Sequence, residues 1–246
     1  MTRLLAVLPC LIALFVLAGW AFGGGILPHA VPGAVTMNPV AALSILLLGV
    51  GACLRLAGGR LPAAGAAIVL AAASLVGVSK LADLYLSTHF DFDTLLFASK
   101  LLWQTPAPSS VSLGTAASLV LTSLALWLVA RPSAASVIAA QALACCIAVI
   151  SVLAVAGHLY HLAALYSGTM AMLTAISFLC FAALILGWTY REGLMAAVSD
   201  PGPAGRSGRV LLPAAIIVPV VLGWLRQQGE QAGLYREDVG VALMVM

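Results

Sequence analysis

The four histidines, His29, His89, His158 and His161, are the side chains here best suited to chemistry. Imidazole is both the physiological pH switch and the commonest metal ligand. In an extended segment, His89-x-Asp91-x-Asp93 sets three polar side chains on one face. On a helix, His158 and His161 share one face at a spacing of three. The candidate ligand-binding or signal-sensing residues are therefore His89, Asp91, Asp93, His158 and His161. Such a set can bind a metal or a haem, or sense protons. It is also what ordinary polarity at a membrane surface looks like. No HExxH, CxxC or CxxCH pattern is present, so no metal site is assigned and the cofactor is left open. There is no GxxxxGK[ST] loop and no GxSxG elbow, so no catalytic residue is assigned.

The elements that carry these residues follow from composition. The chain has 246 residues, 63% of them hydrophobic and 8% charged. Soluble domains carry about 25% charged residues. So few charges cannot cover a water-soluble body of this size. A soluble enzyme, a disordered chain, a collagen-like chain and a coiled coil are all excluded. A polytopic membrane protein is the class that remains, with the lipid bilayer as its first partner. The net charge of +3 is normal for such a protein and gives no sign of nucleic acid. Cys10, Cys53, Cys145, Cys146 and Cys180 all lie in apolar runs, where cysteine packs as a small hydrophobe.

A bilayer span needs about 20 apolar residues. Seven runs qualify: Leu4–Phe22, Met37–Leu56, Ala63–Leu86, Val111–Ala130, Ala135–Tyr160, Thr169–Thr189 and Val210–Leu225. An eighth starts at Val239, too close to Met246 to cross, and the expectation is a chain that continues. Arg3 and the first run could be a signal peptide, but the repeat described next argues for retention. Arg3, Arg55, Arg60, Arg131, Arg191, Arg206 and Arg209 fall on one side of these spans. Lys80, Lys100, Arg226 and Arg236 fall on the other. That bias predicts a cytoplasmic N-terminus and outward-facing histidines. Lys80 and Asp83, three apart near an outer end, read as a pair that snorkels outward. No acidic residue lies in the centre of a span, which argues against a pump. Asp200 to Arg209 reads as a turn-rich basic loop.

The spans repeat. Met37 opens MNPVAALSILLLG, Val111 opens VSLGTAASLVLTS and Met170 opens MAMLTAISFLCFA. Without gaps, Ala41, Thr115 and Thr174 align. So do Ala42, Ala116 and Ala175, and then Ser44, Ser118 and Ser177. The preceding spans also end alike, on Gly19-Trp20, Ala82-Asp83 and Gly157-His158. Each unit is an outward helix, an outer loop and a returning helix with small residues near its start. Small residues let helix backbones approach in lipid, so Ser44, Thr115, Ser118, Thr174 and Ser177 are predicted at the packing seams. The expected fold is an all-α transmembrane bundle of seven complete spans plus the start of an eighth. Its helix pairs run over about 4–56, 63–130, 135–189 and 210–246, and together make one membrane-embedded domain.

Several stretches resemble a family: the multi-span N-terminal sensor region of certain PAS-containing bacterial histidine kinases and diguanylate cyclases. Met37-Asn-Pro-Val-Ala-Ala-Leu-Ser-Ile-Leu-Leu-Leu-Gly49 is similar to that family's Met-x-Pro-x-Thr-Ala-Leu-x-Phe-Leu-Leu-Leu-Gly opening. Phe92-Asp-Thr-Leu-Leu-Phe97 is similar to its outer loop, Gly193 to Leu225 to its inner loop and Leu-Leu-Pro-Ala span, and Gly233-Leu-Tyr235 to its last outer turn. The chain departs from the pattern at Ala41, where Thr is usual, and at Val111, where Met is. The resemblance implies the input region of a signalling protein of the bacterial inner membrane. It implies a homodimer and a missing cytoplasmic output domain, most simply a histidine kinase that acts on a response regulator. Two other classes stay open from the residues alone. One is a stand-alone cofactor- or lipid-binding membrane protein, such as a haem-bearing redox subunit. The other is a transporter of an uncharged substrate.

Overall fold

The computed structural model describes residues 2–22, 36–86, 95–97, 110–131, 133–159 and 170–231. Among these there are eight helices and no strand. They are α1 (Thr2–Phe22), α2 (Pro39–Ala57), α3 (Arg60–Leu86), α4 (Leu113–Leu128), α5 (Ala134–Leu159), α6 (Met172–Trp188), α7 (Gly193–Ser199) and α8 (Pro203–Gln231). The all-helical expectation holds, and these apolar helices are compatible with membrane insertion. Five are long and apolar enough to cross, or six when the bent pair α6–α7 counts as one span. The fourth expected span, α4, is a shorter apolar helix of 16 residues. The run from Val239 lies outside the described residues.

The three sequence units are three helix pairs, and they close into a ring. Each of α1 to α6 packs on the next, and α6 packs back on α1. The returning helices α2, α4 and α6 also touch one another across the middle. They form an inner trio, with α1, α3 and α5 set around it.

Side-chain size explains this sorting. On α1 the large residues Leu4, Leu8, Leu11 and Phe15 are exposed, while Ala6, Ala13 and Gly19 are buried. Water offers no reason for that order, and lipid does. Lipid tails solvate leucine as well as protein does, so association rests on close backbone packing, which small residues permit. Gly77 on α3 shows how close. A methyl group there would lie 2.6 Å from the Ala116 carbonyl oxygen on α4. The large side chains that are fully buried, Ile45, Leu119, Phe178 and Phe181 among them, come mainly from the inner trio.

The turns obey local chemistry. Gly58 and Gly59, at φ of 71° and 92°, join α2 to α3 in a left-handed turn that favours glycine. At the opposite end of the bundle, Pro39 opens α2, where its fixed φ suits a first helical turn. The basic loop expected from Asp200 to Arg209 is shorter than the sequence suggests. α8 begins at Pro203, again a proline suited to a helix start, so Arg206 and Arg209 are helical. Arg209 donates from Nη1 to the carbonyls of Val198 (3.0 Å) and Asp200 (3.1 Å). It thereby satisfies acceptors at the end of α7 that have no partner within that helix.

Gly77→Ala tests the close approach of α3 and α4. The added methyl meets backbone, which cannot rotate away. Overpacking of this kind costs about 1–3 kcal/mol. The thermal midpoint of the detergent-purified chain is expected to fall, whereas Gly65→Ala, whose methyl would meet only a Leu54 side-chain carbon at 3.4 Å, is expected to leave it nearly unchanged.

Candidate functional site

The three returning helices begin together. Their first residues surround a small polar cavity at one end of the bundle, here called the cap end. Its wall includes Asn38 and Ala41 from the first unit, Ser112 and Thr115 from the second, and Ala171 and Thr174 from the third. These are the same two repeat positions in each unit, three residues apart. The cavity measures about 10 Å³, close to the space one water molecule needs.

Position one is the N-cap. Asn38 accepts from the Val40 amide through Oδ1 at 2.8 Å. Ser112 accepts from the Thr115 amide through Oγ at 3.2 Å. A helix start leaves four amide hydrogens without intrahelical partners, and Asn and Ser are among the best residues to take one. Position two stacks on position one. The Ser112 and Thr115 hydroxyls lie 2.9 Å apart and share a hydrogen bond. The third unit differs, because Ala171 has no side-chain acceptor to offer α6.

The outward helices hold these starts in place. Trp20, at the end of α1, donates from Nε1 to the Met37 carbonyl at 3.1 Å. His158, at the end of α5, places Nε2 at 2.9 Å from the Met170 carbonyl. A carbonyl only accepts, so Nε2 is the protonated nitrogen. Met37 and Met170 both immediately precede a cap residue, and Trp20 and His158 are equivalent in the repeat. The two bonds are thus one device used twice. Trp20 also stacks on Phe97, with ring centroids 6.4 Å apart. Phe97 has φ of 58°, a conformation that costs an ordinary residue about 1–2 kcal/mol.

Of the residues singled out from the sequence, His158 therefore has a defined structural task. His89, Asp91, Asp93 and His161 lie outside the described residues, as does His29. Ser44, Thr115, Ser118, Thr174 and Ser177 are all buried near the cap end of the inner trio. Ser44 and Ser177 bond back to the carbonyls of Val40 and Leu173 on their own helices, both at 2.8 Å. The Ser118 hydroxyl, fully buried, has no partner. These serines therefore act through their small size more than through bonds between helices. Among the described residues no three His, Cys, Asp or Glu side chains gather as metal ligands would.

The far end holds a polar joint that sequence reasoning missed. Gln141 on α5 is 0% exposed. Its Nε2 lies within hydrogen-bonding reach of Thr189 Oγ1 (2.9 Å), the Thr189 carbonyl (3.2 Å) and the Glu192 carbonyl (2.9 Å). Its Oε1 accepts from the Leu194 amide at 2.7 Å. One side chain thereby satisfies both sides of the break between α6 and α7, where the chain turns by 80°. Gly193 sits in the turn at φ of 52°, and a methyl there would lie 2.6 Å from Gln141 Oε1. The one amide side chain in the apolar run of α5 was the available signal. Beyond the joint, α8 has α7 as its main packing neighbour and exposes Val210, Leu211, Val218, Leu222 and Leu225. Arg131 lies over Trp127 at 3.5 Å and Arg191 beside Tyr190 at 5.1 Å, near this same end.

Compared with known protein families, curated proteins and solved structures, the chain matches none.

Gln141→Leu keeps the volume and removes the joint. Buried backbone groups that lose their partner cost about 1–3 kcal/mol. Limited proteolysis is expected to cut between Thr189 and Asp200 several-fold faster, with cleavage elsewhere unchanged. At the cap end, Trp20→Phe keeps a ring against Phe97 and deletes the donor to Met37. A net loss of about 0.5–1.5 kcal/mol is expected, read as a lower thermal midpoint.

Proposed function

We propose that the chain is the membrane-embedded input region of a bacterial signal-transduction protein. The carrying observation is the polarity of the bundle. Three repeated units gather their helix starts at one end, two of them with polar caps. At the other, a single clamped joint leads into α7 and α8. A ligand that favours one packing of the inner trio over another would shift the bundle between two states, and only that difference in affinity can drive the shift. The output lies beyond α8, and the resemblance noted in the sequence makes a histidine kinase the best-fitting output. The homodimer and the response regulator that receives the phosphoryl group belong to this same reading.

In this proposal the protein sits in the inner membrane with its N-terminus in the cytoplasm. The seven arginines at the far end support that orientation, because basic residues are retained on the cytoplasmic side. The cap end then faces the periplasm or the outer leaflet, where the signal is received. In this reading α1 to α6 and α8 serve as the seven spans, and the shift passes inward beyond α8.

Two experiments test this. Alkaline phosphatase fused after residue 34 is expected to be active, and the same fusion after Ser133 inactive; the reverse pattern would overturn the orientation. For function, the chain is joined in register to a kinase output domain. Ala42, Ala116 and Ala175, each 0% exposed in the inner trio, are replaced singly by Val. Autophosphorylation is expected to move at least fivefold in one of the three, at equal amounts of folded protein. Unchanged output in all three would remove the signalling reading. A visible absorption band in the purified chain that disappears in His158→Ala would point to the haem-binding class instead.

A further inference from the structure

The third unit breaks the rule that the other two follow, and it does so inside the cavity. Asn38 and Ser112 each cap their helix with a side-chain oxygen, and Ala171 cannot. Its backbone is nonetheless in cap geometry. Ala171 has φ −59° and ψ 149°, beside −62° and 138° for Asn38 and −70° and 158° for Ser112. The missing oxygen has a second effect. Thr115 shares a hydrogen bond with the Ser112 hydroxyl, whereas Thr174, its equivalent, has alanine in that place. Thr174 is 2% exposed, lines the cavity, and its hydroxyl makes no hydrogen bond with any described residue. A hydroxyl in a buried side chain that lines a cavity and makes no such bond stands where a ligand atom could complete it.

The charge of that ligand follows from the helices. Each helix start carries roughly half a positive charge, and three starts converge here. Together they favour an anion in the way single helix starts do in phosphate sites. The amides of the first turn of α6 and the Thr174 hydroxyl are donors, and no side chain competes as an acceptor at Ala171. Asn38 and Ser112 are already engaged with their own helices. The space admits one atom-sized group.

We propose that this cavity binds one anionic acceptor atom, either a small free anion such as a halide or an oxygen of a phosphate group, held by the start of α6 and by Thr174. The ligand atom takes over the hydrogen bonds that the Ser112 hydroxyl makes in the second unit. The anion would sit where the starts of three helices meet. The cavity is thereby the receiving point of the input region proposed above; the binding claim rests on geometry alone, and its signalling role rests on that reading. His158 is a positioning residue here, since it holds the Met170 carbonyl next to the cap without lining the cavity.

The test uses the whole purified chain in a phosphate-free, non-ionic detergent at fixed ionic strength. The thermal midpoint is followed while bromide or inorganic phosphate replaces gluconate, a bulky reference anion. In a parallel arm, phosphatidylglycerol is added. The decisive variant is Ala171→Ser, which supplies the missing oxygen from within. It is expected to raise the midpoint without any added anion and to weaken the anion response at least tenfold. Thr174→Val is expected to lose the response, and Thr174→Ser to retain it. A response to bromide or phosphate that follows this pattern identifies a free anion. A response to phosphatidylglycerol alone, with the same pattern, identifies a lipid headgroup. No response in any arm, or an equal response in the parent chain and Ala171→Ser, overturns the site. If Thr174→Val does not fold, the comparison between the parent and Ala171→Ser decides. An anion that binds in this pattern but leaves the kinase fusion unmoved would remove the signalling role and keep the site.

Discussion

Three helices that start at the same place must bring their unsatisfied amides and their partial charges to the same place. That constraint governs the cap end. α2, α4 and α6 approach closely because small residues line their facing sides, Ala42, Ala116 and Ala175 foremost. Closeness without polar satisfaction would be unfavourable in an apolar medium, since a bare amide there has no water to turn to. The caps at Asn38 and Ser112 are therefore a condition of the packing rather than an addition to it. The outward helices contribute from the side, with Trp20 and His158 fixing the carbonyls just before two of the three starts.

The same economy explains how the two ends differ. At the cap end polarity is spread over three units and meets around a cavity. At the far end the buried joint centres on one side chain, Gln141, which ties α5 to the break between α6 and α7. A buried amide with one acceptor and one amino group suits that task, because the broken helix presents both carbonyls and an amide hydrogen. The joint fixes the direction in which α7 leaves. Arg209 then ties α8 to the end of α7. Motion of α6 along its axis would thus reach α8 through the Gln141 joint, the packing of α7 on α8 and the Arg209 bonds.

Serine and threonine in the seams show why residue type alone misleads. Hydroxyls in membrane helices can bond across to a neighbour or back to their own turn. Ser44 and Ser177 chose the second, and Ser118 neither. Their value at these positions is that they are small. Thr115 and Thr174 look alike in the repeat, yet among the described residues only Thr115 has a hydrogen-bond partner for its hydroxyl. The difference lies in the residue three positions earlier.

Much of this was legible in the sequence. A charge content of 8% and repeated apolar runs dictate long apolar helices of the kind that suit a membrane. The ungapped match of three span starts dictates three equivalent units, because duplicated sequence folds into duplicated structure. The alignment of Gly19-Trp20 with Gly157-His158 marked the two side chains that turned out to share a task. Sequence could not say what that task was. A histidine near a membrane end reads equally as a ligand, a proton sensor or a structural donor, and only the position of the Met170 carbonyl decides. It also could not arrange the three units in a ring, since helix order along the chain does not fix which faces meet. Gln141 was visible as an amide in an apolar run, but its task was not, because its four partner atoms lie 48 to 53 residues away. The meeting of the three caps is likewise a tertiary fact. Local chemistry sets each helix start, but only packing brings the starts together and leaves the Thr174 hydroxyl on the cavity without a bond to any described residue.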